Sequence, residues 1–149
     1  EIHKVLVVCT GNICRSPLAE ALLKPLLQPR GIEVVSAGTH AVVDAPAHWQ
    51  TQALARQQGI DLSAHRAQAL TPVLMKSADL ILALDQGHRA WMLKAQPQLA
   101  GRIYKLGHWA NNADVEDPYG QPDAVFARVQ AEIALYCAQW PAKLGMPTA

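Results

Sequence analysis

Apolar positions along this chain follow two rhythms. Short unbroken runs such as Val5-Leu6-Val7-Val8 stand between polar residues, whereas longer stretches place apolar residues three and four apart. An unbroken run of that length reads as a strand buried on both faces, as in the middle of a parallel sheet. Strands are therefore expected at residues 5–8, 33–36, 79–84 and 102–106. Helical spacing follows the first strand: Ser16-Pro17 opens a helix carrying Leu18, Ala21, Leu22 and Leu26, Pro25 kinks it or ends it early, and Gly31 closes the unit. Asp44 and Pro46 mark a second helix running to Gln58 and stopped by Gly59, and Ser63 is placed to cap a short turn. Thr71-Pro72 starts a short helix ending near Ala78, and residues 86–95 form another, broken by Pro97. The last helix spans residues 123–140, with Val125, Val129, Ile133 and Cys137 along one face. Between the fourth strand and that helix lies a polar stretch, residues 107–120, too long to be mere connection and so expected to carry function. Strands alternating with helices predict an α/β fold: an open four-stranded parallel sheet with helices on both faces. The ligand belongs at the carboxyl end of the first strand, where strand order reverses.

Composition narrows this further. The chain has 149 residues, which fits one domain, and it is 50% hydrophobic and 17% charged, as in an ordinary globule. A formal net charge of +1, with no basic block or aromatic-basic alternation, gives no footprint for nucleic acid. No apolar run approaches the roughly 20 residues that span a bilayer, and Glu1-Ile2-His3-Lys4 leads straight into a strand without a signal-peptide layout. Three cysteines are an odd set, which points to a reducing compartment and a cytoplasmic protein.

One loop carries most of the chemistry. Val8-Cys9-Thr10-Gly11-Asn12-Ile13-Cys14-Arg15-Ser16-Pro17 links the first strand to the first helix. The five residues between Cys9 and Arg15 can close into a ring of backbone N–H groups, contributed by Thr10, Gly11, Asn12, Ile13 and Cys14, above the helix N-terminus. Such a ring is an anion cradle. Cys9 sits at its floor, where the field favours thiolate over thiol. Arg15 supplies a planar fork that grips two oxygens of a phosphate-like anion. A nucleophile beneath a trapped phosphoryl group implies transfer of that group to sulfur. Asn12 suits the left-handed backbone a tight cradle needs. Ser16 can donate its hydroxyl to the Cys9 sulfur, cap the helix, or do both. Expelling an alkoxide or phenoxide also calls for a general acid. The candidates in the long loop are Asp114, Glu116 and Asp117, and Asp117 is preferred because Pro118 restricts it to extended backbone. No metal-ligand spacing is present among the histidines, and this chemistry calls for neither metal nor cofactor.

The Cys-x5-Arg-Ser-Pro segment resembles the signature of the low-molecular-weight protein tyrosine phosphatases, and Ser36-Ala37-Gly38-Thr39 and Asp117-Pro118-Tyr119 match two further family pieces. The resemblance covers nearly the whole chain, and residues 78–140 look most like bacterial members associated with polysaccharide export. It implies hydrolysis of phosphotyrosine through a cysteinyl phosphate, with Cys9 as nucleophile, Arg15 as clamp and Asp117 as acid and then base. It also implies that Ser36 and His65 brace Asn12, and that Tyr119 and His40 stand on the substrate rim. Gln68 departs from relatives that carry Arg there, and Gly120 replaces a second Tyr found in many eukaryotic relatives. The partner implied is a phosphotyrosine protein, a bacterial tyrosine autokinase of exopolysaccharide export, met by a monomeric phosphatase. Cys14 either pairs reversibly with Cys9, as in some relatives, or is a buried thiol without a role; Cys137 reads as core, and Trp49 as a helix contact or a specificity residue.

Two rivals share parts of this picture. An arsenate reductase on the same fold relays a disulfide through two further cysteines near the third strand, and residues 80–95 contain none. A phosphotyrosine-binding module without catalysis would lack Cys9 or Asp117. A nucleotidase of the P-loop type is excluded, since there is no Gly-Lys-Ser/Thr.

Overall fold

The computed structural model describes residues 1–145. Its centre is a four-stranded sheet of β1 (Lys4–Cys9), β2 (Glu33–Gly38), β3 (Leu80–Ala83) and β4 (Ile103–Lys105), in the order β2-β1-β3-β4 and parallel throughout. β1 lies between β2 and β3, so strand order reverses at its carboxyl end, as expected from the alternation of strand and helix.

The unbroken apolar runs divide between two faces because successive strand side chains point oppositely. Val5, Val7, Leu80 and Leu82 pack with α1 (Arg15–Leu27) and α5 (Asp123–Lys143). Leu6, Val8, Ile81 and Ala83 pack with α3 (Pro72–Ser77) and α4 (Gln86–Ala95). Cys137 belongs to the first of these cores, 1% exposed, with its Sγ against the Ala19 carbonyl. No helix among the described residues is long and apolar enough to cross a membrane.

Several boundaries differ from the pattern-based expectation. α1 runs through Pro25 to Leu27 and then tightens into a 3-10 turn, Gln28–Arg30, closed by Gly31 at φ 71°. α5 continues past Trp140 to Lys143 with Pro141 inside it. The second helix, α2 (Trp49–Gln57), starts later than Asp44. Asp44 adopts φ 68°, its N–H donates to Ala67 O, and Ala67 N–H donates back to Ala45 O, so this stretch is committed to pairing with a neighbouring loop. His48 caps the helix instead, its ring accepting from the Gln50 N–H. In the turn at Ser63, it is Asp61 that accepts from the Ser63 N–H, so Ser63 is the donor and not the cap.

Candidate active site

At the end of β1 the chain enters the loop between Cys9 and Arg15, and five carbonyls in succession turn outward. Cys9 O accepts from Thr39 N–H (3.0 Å), Thr10 O from His40 N–H (2.9 Å), Gly11 O from Val42 N–H (3.0 Å) and Ile13 O from His48 N–H (2.7 Å). Asn12 O accepts from His65 Nε2 at 2.7 Å. Peptide units are planar and trans, so the N–H groups of Thr10, Gly11, Asn12, Ile13 and Cys14 face the opposite way, into the ring. Asn12 turns the corner at φ 57°, a conformation that asparagine tolerates. Gly38 makes the close approach of β2 possible: a Cβ there would lie 2.3 Å from Thr10 O.

Beneath the ring a set of hydrogen bonds assigns proton directions. Asn12 Nδ2 donates to Ser16 Oγ (2.8 Å) and Ser36 Oγ (2.9 Å). Ser36 spends its own proton on Glu20 Oε1 at 2.6 Å. Ser16 Oγ lies 2.8 Å from Cys9 Sγ, and since it accepts from Asn12 its hydroxyl proton is free to be donated to sulfur. The Asn12 side-chain oxygen accepts from Gln68 N–H, while the Gln68 amide donates to Ser36 O, so glutamine braces the cradle by hydrogen bonding where an ion pair is absent.

Arg15 is 3% exposed and held by one edge only. Its Nη1 donates to Asp85 Oδ2 and to Val115 O, both at 2.8 Å. Its Nε is buried without a partner among the described residues, and Nη2 makes two long contacts, 3.4 Å with Thr10 Oγ1 and 3.9 Å with Asp117 Oδ2. The Nε–Nη2 edge is thus the free half of the fork, suited to two oxygens of an anion. Burial alone would raise the Asp85 carboxyl, but donation from Arg15 and the neighbouring His88 bring it below the ordinary carboxylate value.

The three carboxylates of the long loop have separate partners. Asp114 pairs with Lys105 at 2.8 Å, and Glu116 pairs with Arg128. Asp117 is half exposed, with Oδ2 3.9 Å from Arg15 Nη2 and Oδ1 accepting from Tyr119 N–H. Cys9, Arg15, Asp117, His40, Val42, Ile13 and Tyr119 share one cavity of about 250 Å³. Residues 4–147 match the family model described as low molecular weight phosphotyrosine protein phosphatase. The chain belongs to that family. A putative low molecular weight protein-tyrosine-phosphatase of Klebsiella pneumoniae is 38% identical over 140 residues, 94% of this chain and 96% of that one. Among solved structures, Wzb of Vibrio vulnificus in complex with benzylphosphonate has 33% identity and a TM-score of 0.90, over 96% of this chain and 99% of the other. The YwlE arginine phosphatase of Geobacillus stearothermophilus has 30% identity and a TM-score of 0.88, over 96% and 93%.

Within this phosphatase fold, the remaining expected residues fall into place unevenly. Tyr119 and His40 both line the cavity, and His40 meets Trp91 edge-on at 6.4 Å between centroids. Trp49 lies outside it, exposed and stacked on His48, which in turn packs against Tyr119 and Phe126. Cys14 is a buried thiol whose burial pushes it up to about 12, the Thr51 hydroxyl opposing. Pattern reasoning missed Asp85, His88 and the Val115 carbonyl. A signal for the first two was present: an acidic residue just after a central strand and three before a histidine, where Asp85 and His88 form a capping box at the start of α4.

Proposed function

We propose that this protein removes phosphate from phosphotyrosine through a cysteinyl phosphate. The observation that carries the reading is the stacking of functions around one point: inward N–H groups, Cys9 Sγ with a donor at 2.8 Å, and the free edge of a buried Arg15. In the first step Cys9 sulfur attacks phosphorus and the P–O bond to the tyrosyl oxygen breaks. Asp117 gives its proton to that oxygen as it leaves. In the second step Asp117 takes a proton from water, the water oxygen attacks phosphorus, and sulfur departs as a thiolate steadied by Ser16. Arg15 and the ring hold the three non-bridging oxygens through both steps.

The wall above the anion supports an aryl ester. Ile13, Val42 and Tyr119 are apolar or aromatic, and Asp117 is the one carboxylate of that lining, so a phosphorylated guanidinium would meet little that complements its charge. Tyrosine is therefore preferred over arginine phosphate. The likeness of residues 78–140 to export-associated bacterial members points to an autophosphorylated tyrosine kinase of exopolysaccharide export as the substrate. A disulfide relay of the arsenate-reducing kind lacks support, because Cys137 lies in the core.

The test is hydrolysis of p-nitrophenyl phosphate in excess EDTA by wild type and Cys9→Ser, with phosphoarginine as the competing substrate. Turnover that disappears in the variant, with phosphoarginine at least tenfold poorer, is expected. Absence of turnover by freshly reduced wild type would overturn the phosphatase reading, and preference for phosphoarginine would overturn the choice of tyrosine.

A further inference from the structure

The side chain directly after the nucleophile has no role in the scheme above, which uses only its N–H. Thr10 Oγ1 lies 2.8 Å from His88 Nε2 and 3.4 Å from Arg15 Nη2, on the wall of the same cavity as Cys9 and Asp117. His88 is 5% exposed. Its other ring nitrogen, Nδ1, is 3.2 Å from both the Asp85 backbone nitrogen and Asp85 Oδ1; Oδ1 already accepts from the His88 N–H, whereas the Asp85 N–H needs an acceptor at the start of α4. Nδ1 therefore carries the lone pair, the ring proton sits on Nε2, and it is donated to Thr10 Oγ1. Burial keeps the ring neutral, as this tautomer requires, by pulling His88 down to about 4. A hydroxyl has two acceptor positions and one proton. On Thr10 both acceptor positions face protein donors, Nε2–H and Nη2–H. The proton has no acceptor among the described residues and is left facing the cavity beside the free edge of Arg15.

We infer that Thr10 is a further anion-binding residue of this site: its hydroxyl, held by His88, donates to the phosphoryl oxygen that Arg15 Nη2 grips. The inference rests on the phosphatase reading. It makes His88 a positioning residue that reaches the substrate only through Thr10, and it ties the Asp85 end of α4 to the anion cage by a path independent of the Arg15–Asp85 ion pair.

Thr10→Val keeps the shape and removes the hydroxyl at an exposed position; Thr10→Ser keeps the hydroxyl. For a hydrogen bond to a charged acceptor, Thr10→Val is expected to weaken inhibition by inorganic phosphate and to lower kcat/KM for p-nitrophenyl phosphate roughly tenfold, while Thr10→Ser recovers most of both. His88→Phe is expected to cost several-fold in the Thr10 background and nothing further in Thr10→Val, because its effect passes through that hydroxyl. Active wild type with Thr10→Val unchanged in both measurements, or with Thr10→Ser as impaired as Thr10→Val, overturns the inference. Additive losses from His88→Phe and Thr10→Val overturn the positioning role. Inactive wild type is a separate outcome, which would remove the phosphatase reading itself.

Discussion

The two sides of the cavity are built in opposite ways. On the nucleophile side, Asn12, Ser16, Ser36 and Arg15 are all buried, and each of the five loop carbonyls is tied to a different backbone or side-chain donor. On the acid side, the segment is pinned at Val115, whose N–H donates to Leu84 O and whose carbonyl accepts from Arg15, and at Asp114 through Lys105. Beyond those pins, Asp117 is 53% exposed, and among the described residues its polar contacts are the Tyr119 N–H and the distant Arg15 Nη2. Under the proposed mechanism, the difference follows from what each side does. Donors aimed at an anion help only if they are oriented before it arrives, which requires a closed hydrogen-bond system. An acid that later becomes a base must meet first a protein substrate and then water, so it stands at the mouth.

Perturbing each side should therefore give a different signature. The largest effect comes from Asp117→Asn. Loss of general-acid catalysis should lower kcat/KM, which reads formation of the cysteinyl phosphate, by roughly a hundred- to ten-thousand-fold on phosphotyrosine, and far less on p-nitrophenyl phosphate, whose leaving group needs little protonation. Inhibition by inorganic phosphate should stay within about twofold. Equal losses on both substrates would contradict the division.

Gly38→Ala attacks the cage through its backbone. The new Cβ would collide with Thr10 O, so the loop must move. Weaker phosphate inhibition by tenfold or more, with a stability loss of about 3 kcal/mol in urea unfolding, is the expected result. Unchanged phosphate affinity would show that the ring does not depend on the approach of β2.

The smallest effect lies where the two sides meet. His88 is neutral in the fold down to about 4, whereas in the unfolded chain it takes up a proton near its ordinary 6.5. The unfolded chain then binds more protons between those values, so stability falls as pH drops from 6.5 towards 4 and is unaffected above that window. The loss attributable to this one residue reaches about 1 kcal/mol by pH 5.5. Urea unfolding at pH 7.5 and 5.5 reads it, and His88→Gln, with nothing to titrate, should show a correspondingly smaller drop.

The cage was legible in the order of residues because its chemistry is local: nucleophile, left-handed asparagine, arginine and serine all fall in one short stretch. The sheet was legible for a similar reason, since a double-faced strand must be apolar at every position. What escaped pattern reading depends on contacts far along the chain. Asp85 is 70 residues from Arg15, and the Val115 carbonyl is 100 residues away. The late start of α2 belongs to the same class. Asp44-Ala45-Pro46 carries helix-start chemistry, but its neighbourhood supplies donors to the cage and pairs with Ala67 instead. Of the three acidic residues in the long loop, Asp117 was set apart by Pro118 and by the family resemblance, not by any charge partner visible in the order of residues. Lys105 and Arg128 engage the other two in the fold.

Those outward carbonyls have a consequence for the life of the chain. Their donors come from residues 39–48 and from His65, so no nascent chain ending before that point can hold the ring. A growing, misfolded or proteolytically nicked copy holds Cys9 without the oriented dipoles of the closed ring around it. The anion-binding geometry around the sulfur is then a property of the finished fold, and it depends on donors that lie 30 to 56 residues downstream of Cys9.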